Sequence, residues 1–113
     1  MVADPNGTFL VTANLTADTS PSFTQVISVN SATGQLTAGG TVQGANSTAT
    51  VSPLAIDVKG QHVYGIGLLD TSCVSACTKA VDSFTVTSST ITTIGPAVST
   101  GLQGSDSIAV SPF

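Results

Sequence analysis

The chain has 113 residues and a mass of 11.1 kDa, which leaves room for one modest hydrophobic core and excludes several large domains. Its net charge of -4 excludes the basic surface that binding to nucleic acid or to an anionic membrane requires. Only 7% of the residues are charged, Glu and Arg are absent, and Ser and Thr are abundant, so the composition disfavours helices and predicts an all-β protein.

The first predicted strands surround a turn near the N-terminus. Residues 8–13 are a β-branched and aromatic run that follows Asp-Pro-Asn-Gly, a sequence typical of hairpin turns. After a long polar loop, Ile27 and Val29 alternate with polar residues, which predicts that both lie on the buried face of a strand. Gly34 is expected to supply the positive φ of a tight turn into a fourth strand.

The same series recurs after about 53 residues. Asp57 takes the place of Asp4, Gly60 takes the place of Gly7, and residues 62–66 form the matching strand. Each repeat is therefore predicted to contain four strands.

The second repeat continues as the first does. Phe84 and Val86 alternate with polar residues and are predicted to face the core. Residues 88–98 align in register with residues 32–42 as the fourth strand. A third copy begins at Ile108 and contributes one further strand.

Four-stranded units of about 50 residues in tandem are typical of the blades of a β-propeller, because one small twisted sheet cannot bury both of its faces alone. The fold class predicted is all-β, with tandem antiparallel blades. Residues 1–53 form blade 1, residues 54–107 form blade 2, and residues 108–113 form the inner strand of a following or partner blade.

The repeated motifs resemble the lactonase-type (YVTN-like) seven-bladed β-propeller family. The resemblance covers nearly the whole chain, although Val58 replaces the expected Pro and Thr-Gly is missing before Ile91. It implies that residues 1–4, 54–57 and 108–111 are inner strands lining a central channel. The motifs that carry it are Val2 to Asn14, Ser31 to Thr37, Leu54 to Tyr64 and Ile108 to Pro112.

Two blades cannot close a ring, and open sheet edges promote association. The expected partners are therefore further copies of the chain, three giving six blades and four giving eight, or the remaining blades of a longer propeller. No nucleic-acid or membrane partner is expected. The predicted function is a structural or binding module, and the alternative is a lactonase-like hydrolase of a small lactone in the assembled propeller.

Cys73 and Cys77 lie four residues apart in a Ser-rich stretch. They are expected to form a local disulfide; free thiols, or a metal site with His62 as a third ligand, are the alternatives. The N-terminus shows neither a leader nor an anchor segment. Low charge and paired cysteines nevertheless predict a secreted or periplasmic protein whose leader was removed or lies outside this sequence.

Candidate catalytic residues are few. His62 and Asp57 are the weak candidates, because a single His in an apolar strand is usually packed and an Asp before such a strand usually caps a turn. The family's sugar-phosphate hydrolases imply Arg near the channel, and this chain has none. No cofactor or metal is expected, and the chain alone is not expected to be an enzyme. The other possible acids or bases are Asp4, Asp18, Asp70, Asp82 and Asp106.

Overall fold

The computed structural model describes residues 1–14, 23–43, 53–68, 76–103 and 107–112. Within these ranges every regular element is a β-strand, which confirms the predicted all-β class. None of these residues belongs to a helix of the length and apolarity needed to cross a membrane.

The first sheet is a meander of four antiparallel strands in the order β1-β2-β3-β4. Gly34, in the turn before β4, has a φ of 73°, as the sequence predicts. The strands are β1 (Val2–Ala3), β2 (Phe9–Asn14), β3 (Phe23–Val29) and β4 (Leu36–Gln43).

The second sheet repeats this meander with its last strand broken into two pieces. Both pieces pair antiparallel with the same strand, β7. Gly95, with a φ of 57°, and Pro96 lie between them and interrupt the regular strand. The strands are β5 (Leu54–Ile56), β6 (His62–Leu68), β7 (Lys79–Val86), β8 (Ile91–Thr93) and β9 (Val98–Ser99).

The two sheets stack face to face with their strands in the same order. β1 lies beside β5 at one edge, and β4 lies beside β8 at the other. The hydrophobic core fills the space between the sheets, because each sheet turns one apolar face toward the other. Its buried members are Phe9, Val11, Val26, Leu54, Val63, Phe84, Val86 and Ile91.

Close contact at the β4 edge depends on two glycines. The Gly40 amide donates a hydrogen bond to the Ser89 carbonyl of the second sheet, at 2.9 Å. A methyl group on Gly39 would lie 2.9 Å from the same carbonyl oxygen and 2.8 Å from Cγ1 of Val26. Because the register of β3 and β4 shifts between Gln25 and Ile27, these glycines form a β-bulge that lets the sheets approach.

The prediction for β3 was wrong about its buried face. Phe84 and Val86 are buried as predicted, whereas Ile27 and Val29 are only half-buried and Val26 is fully buried instead. The second sheet packs on the face of β3 that carries Val26. Ile27 and Val29 therefore point to the opposite, outer face of the first sheet.

Strand pairing also corrects the predicted alignment of the fourth strands. Leu36 pairs with Val29, and Ile91 pairs with Val86, so Leu36 corresponds to Ile91 rather than to Thr92. Residues 107–112 belong to none of the strands that the structure describes. Their assignment to a following blade stays a prediction.

Candidate functional site

The first of two equivalent turns joins β1 to β2. The Asp4 amide donates to the Phe9 carbonyl at 3.0 Å, and the Gly7 amide donates to the Asp4 carbonyl at 2.9 Å. Oδ2 of the buried Asp4 accepts from the Thr8 amide at 3.1 Å and from the Thr8 hydroxyl at 2.6 Å. Burial alone would raise the pKa of Asp4, but hydrogen bonds from Thr8 and Asn6 together lower it below its ordinary value.

The second turn joins β5 to β6 and has the same backbone pattern. The Asp57 amide donates to the His62 carbonyl, and the Gly60 amide donates to the Asp57 carbonyl, both at 3.0 Å. Oδ1 of Asp57 accepts from the Gln61 amide at 2.8 Å and from the His62 amide at 3.2 Å. Both aspartates therefore cap their turns, as the repeat alignment predicts.

Asp57 additionally holds the imidazole of His62. Its Oδ2 lies 2.8 Å from Nδ1 of the ring. Burial alone would raise the pKa of Asp57, but the bonds from the His62 ring and from the Gln61 and His62 amides outweigh it, so the pKa lies below its ordinary value. Asp57 is thus an anionic acceptor that fixes the orientation of the ring.

The two turns lie against each other, and we call them the paired aspartate turns (residues 4–8 and 57–62). A methyl group on Gly60 would collide with the Asp4 carboxylate and would lie 3.3 Å from Cδ of Pro5. At the equivalent Gly7, an added methyl would meet no atom within 4 Å. The second turn therefore packs onto the first, whereas the equivalent side of the first turn is open.

The Asp57–His62 pair has the orientation of a catalytic dyad. A ring that donates from Nδ1 to the carboxylate keeps Nε2 as a proton acceptor. The His62 side chain is 40% exposed, against 17% for Asp57, so a small molecule or water can reach the ring. A ring held in this way could remove a proton from a water molecule that reaches Nε2.

Of the remaining predicted site residues, only Asp82 and Cys77 lie within the described ranges. Asp82 is buried within β7, in the middle of the second sheet. Cys77 is disulfide-bonded, and Cys73, the other of the two cysteines in the sequence, lies outside the described residues. In the part of the chain that the structure describes, no three His, Cys, Asp or Glu side chains gather as a metal site. Asp18, Asp70 and Asp106 also lie outside the described residues.

Sequence reasoning identified Asp57 and His62 separately but not the hydrogen bond between them. The sequence does contain a signal for this contact. In a hairpin in which the Asp57 amide bonds to the His62 carbonyl, the two side chains lie opposite each other across the turn. The contact of Gly60 with Asp4 had no such signal, since it joins two repeats whose stacking is a tertiary property.

Comparisons with protein-family models, curated proteins and solved structures find no match to this chain. The resemblance to lactonase-type propellers therefore rests on its sequence motifs alone.

Proposed function

We propose that this chain is a structural and binding module that supplies two consecutive blades of a lactonase-like β-propeller. The observation that carries the proposal is the stacking of two meanders in the same strand order, with β1 beside β5 and β4 beside β8. Propeller blades pack in this way around a channel, with first strands innermost. Two such sheets leave the ring open, so further sheets complete it.

The faces used in the stack support this proposal. The first sheet packs with Val2, Val11 and Val26, while the second packs with residues of the opposite alternation, such as Val63 and Phe84. Each sheet thus has a forward face and a different backward face. A series built from two unlike faces continues in one direction and closes only as a ring.

The disulfide at Cys77 supports an oxidising setting, so the proposal places the module in a secreted or periplasmic protein.

A tandem protein with three linked copies of the chain tests the blade proposal independently of how strongly free chains associate. The expected product is a compact six-bladed particle with a central channel, seen by small-angle scattering and electron microscopy. Three copies should also melt at a higher temperature than one, because every outer face gains a partner. An extended string of separate two-sheet units that melts like the single chain would contradict the proposal.

The Asp57–His62 dyad supports a second candidate function, hydrolysis of a small lactone in the completed ring. His62 would accept a proton from water through Nε2 while Asp57 stabilises the imidazolium through Nδ1. The activated water would attack the lactone carbonyl, and the ring oxygen would leave as a hydroxyl after receiving the proton from His62.

Lactone opening by the tandem protein, followed by acid release, tests this second candidate. His62→Ala should abolish the rate and Asp57→Asn should reduce it about a hundredfold or more, the scale of one general base. Lys59→Ala, in the same exposed turn, is the control and should leave the rate unchanged. A rate that survives His62→Ala removes the dyad from any hydrolytic role.

A further inference from the structure

The outer face of the first sheet has the same strand positions as the face of the second sheet that packs in the core. Leu10 pairs with Ile27, and Val63 pairs with Phe84 at the corresponding positions of the second sheet. Val63 and Phe84 are fully buried because the first sheet covers them, whereas Leu10 and Ile27 are half-buried. Apolar residues therefore occupy positions of the first sheet where the described residues provide no covering sheet.

Leu36 shows the difference most clearly. Its equivalent in the second sheet, Ile91, is 7% exposed within the core, while Leu36 is 57% exposed. No charged residue interrupts this face in β1 to β4. Leu10, Ile27, Val29 and Leu36 therefore form an uncharged apolar patch on this face, of a kind typical of a protein interface.

The outer face of the second sheet is the matching surface. Thr24 pairs with Val42, and Val81 pairs with Val98 at the corresponding positions. Val42 packs against the core between the sheets, whereas Val98 is 68% exposed. The residues on this face therefore correspond, in strand position, to the residues with which the first sheet packs against the second.

We infer that a second copy of this chain covers the outer face of the first sheet, and that it does so with the outer face of its own second sheet, head to tail. The inference deepens the proposed function, on which it rests, by naming the partner. Within the chain, Ile91 and Val42 lie on the neighbouring strands β8 and β4. Leu36 of one copy and Val98 of the next copy are their equivalents, so they meet across the joint.

The edge contacts point to the same arrangement. In the internal interface, β4 approaches the β7–β8 turn closely through Gly40 and Ser89. The corresponding region of the second sheet contains Gly95, where an added methyl would meet nothing within 4 Å. This open position receives the β3–β4 turn of the next copy, residues 30–35.

Mixing two variants of the purified full chain, at equal concentration, tests the joint. Leu36→Lys and Val98→Asp should each raise the dissociation constant of self-association about tenfold or more, since each places a lone charge in an apolar joint. Mixed together they should recover association, because the unaltered Val98 face of one variant meets the unaltered Leu36 face of the other, and Lys faces Asp at the following joint. Thr37→Lys adds the same charge to the same strand on the opposite face and should have no effect.

Light scattering and sedimentation give the readout. Association of the wild type that is lost in each variant and restored by mixing supports the inference. Wild-type protein that stays at 11.1 kDa at every concentration overturns it, and so does association that both single variants leave intact. Failure of this inference can be distinguished from failure of the blade proposal, because the tandem protein tests the blade proposal without association between separate chains. Circular dichroism of each variant confirms that the sheets are retained, so that lost association is not mistaken for unfolding.

Discussion

At the scale of single residues, Thr24 is a buried polar side chain placed where the second repeat has an apolar one. Its hydroxyl has no hydrogen-bond partner in the described part of the chain, and the residue is fully buried between the sheets. Pairing with Ala13 makes it the equivalent of Val81, which pairs with Ile66. The unsatisfied hydroxyl is therefore a cost that the fold tolerates.

Thr24→Val should stabilise the protein by about 1–2 kcal/mol, because it removes the buried hydroxyl and keeps the side-chain volume. Urea unfolding measures this change as a higher midpoint with an unchanged slope. Thr41→Val, on an exposed part of β4, is the control and should change stability by less than about 0.5 kcal/mol. If Thr24→Val lowers the free energy of unfolding, the Thr24 hydroxyl makes a hydrogen bond in the folded protein.

Gly60 and Gly7 provide a matched pair for the contact between the turns. Both have a positive φ, 66° and 70°, so an alanine at either costs about 1–2 kcal/mol in backbone strain. Gly60→Ala should cost more than Gly7→Ala, because its methyl group also collides with the Asp4 carboxylate. Thermal unfolding of both variants gives the comparison, and equal losses would show that the turns do not pack together.

At the scale of elements, each strand follows its local sequence, while its neighbours decide which face is buried. β3 and β7 both alternate polar and apolar residues, yet Phe84 is in the core and Ile27 is half-buried. The alternation specifies two faces, and only the position of the adjacent sheet decides which face loses contact with water.

The disulfide of Cys77 is expected to contribute little to the stability of the strands, because the loop that it closes is short and lies between β6 and β7 in the sequence. Reduction, or replacement of both Cys73 and Cys77 by Ser, should lower the free energy of unfolding by no more than about 2 kcal/mol, the low end for a disulfide. Denaturant titration with and without reductant measures it. Complete loss of β-structure on reduction would contradict this prediction.

At the scale of the whole molecule, the paired aspartate turns link the stability of both sheets to pH. Asp4 and Asp57 have folded-state pKa values below the ordinary value of 3.8, so the folded state binds fewer protons than the unfolded state. Their contribution is present above about pH 4 and is lost as the pH falls through the lowered values, because protonation removes the acceptors of the turn hydrogen bonds.

Acid should therefore destabilise the wild type more than the variants Asp4→Asn and Asp57→Asn. Each variant should be less stable at neutral pH but should show a smaller loss between neutral pH and about pH 3, since it lacks a titrating carboxylate. Urea midpoints across this range measure the difference. If the variants and the wild type lose stability in parallel, the pKa values of these two aspartates are not lowered by folding.

The sequence by itself determined the elements: strands and turns were predictable because alternation, β-branched residues and the Asp-to-Gly turns act over a few neighbouring residues. It also determined the repeat, and with it the equivalence of Asp4 and Asp57. Only the tertiary structure decided that Val26 rather than Ile27 is buried, that Gly60 lies on Asp4, and that Leu36 is equivalent to Ile91. These facts depend on a β-bulge and on the stacking of two sheets, which bring together residues far apart in the chain. The sequence of a few neighbouring residues does not indicate which distant residues will meet.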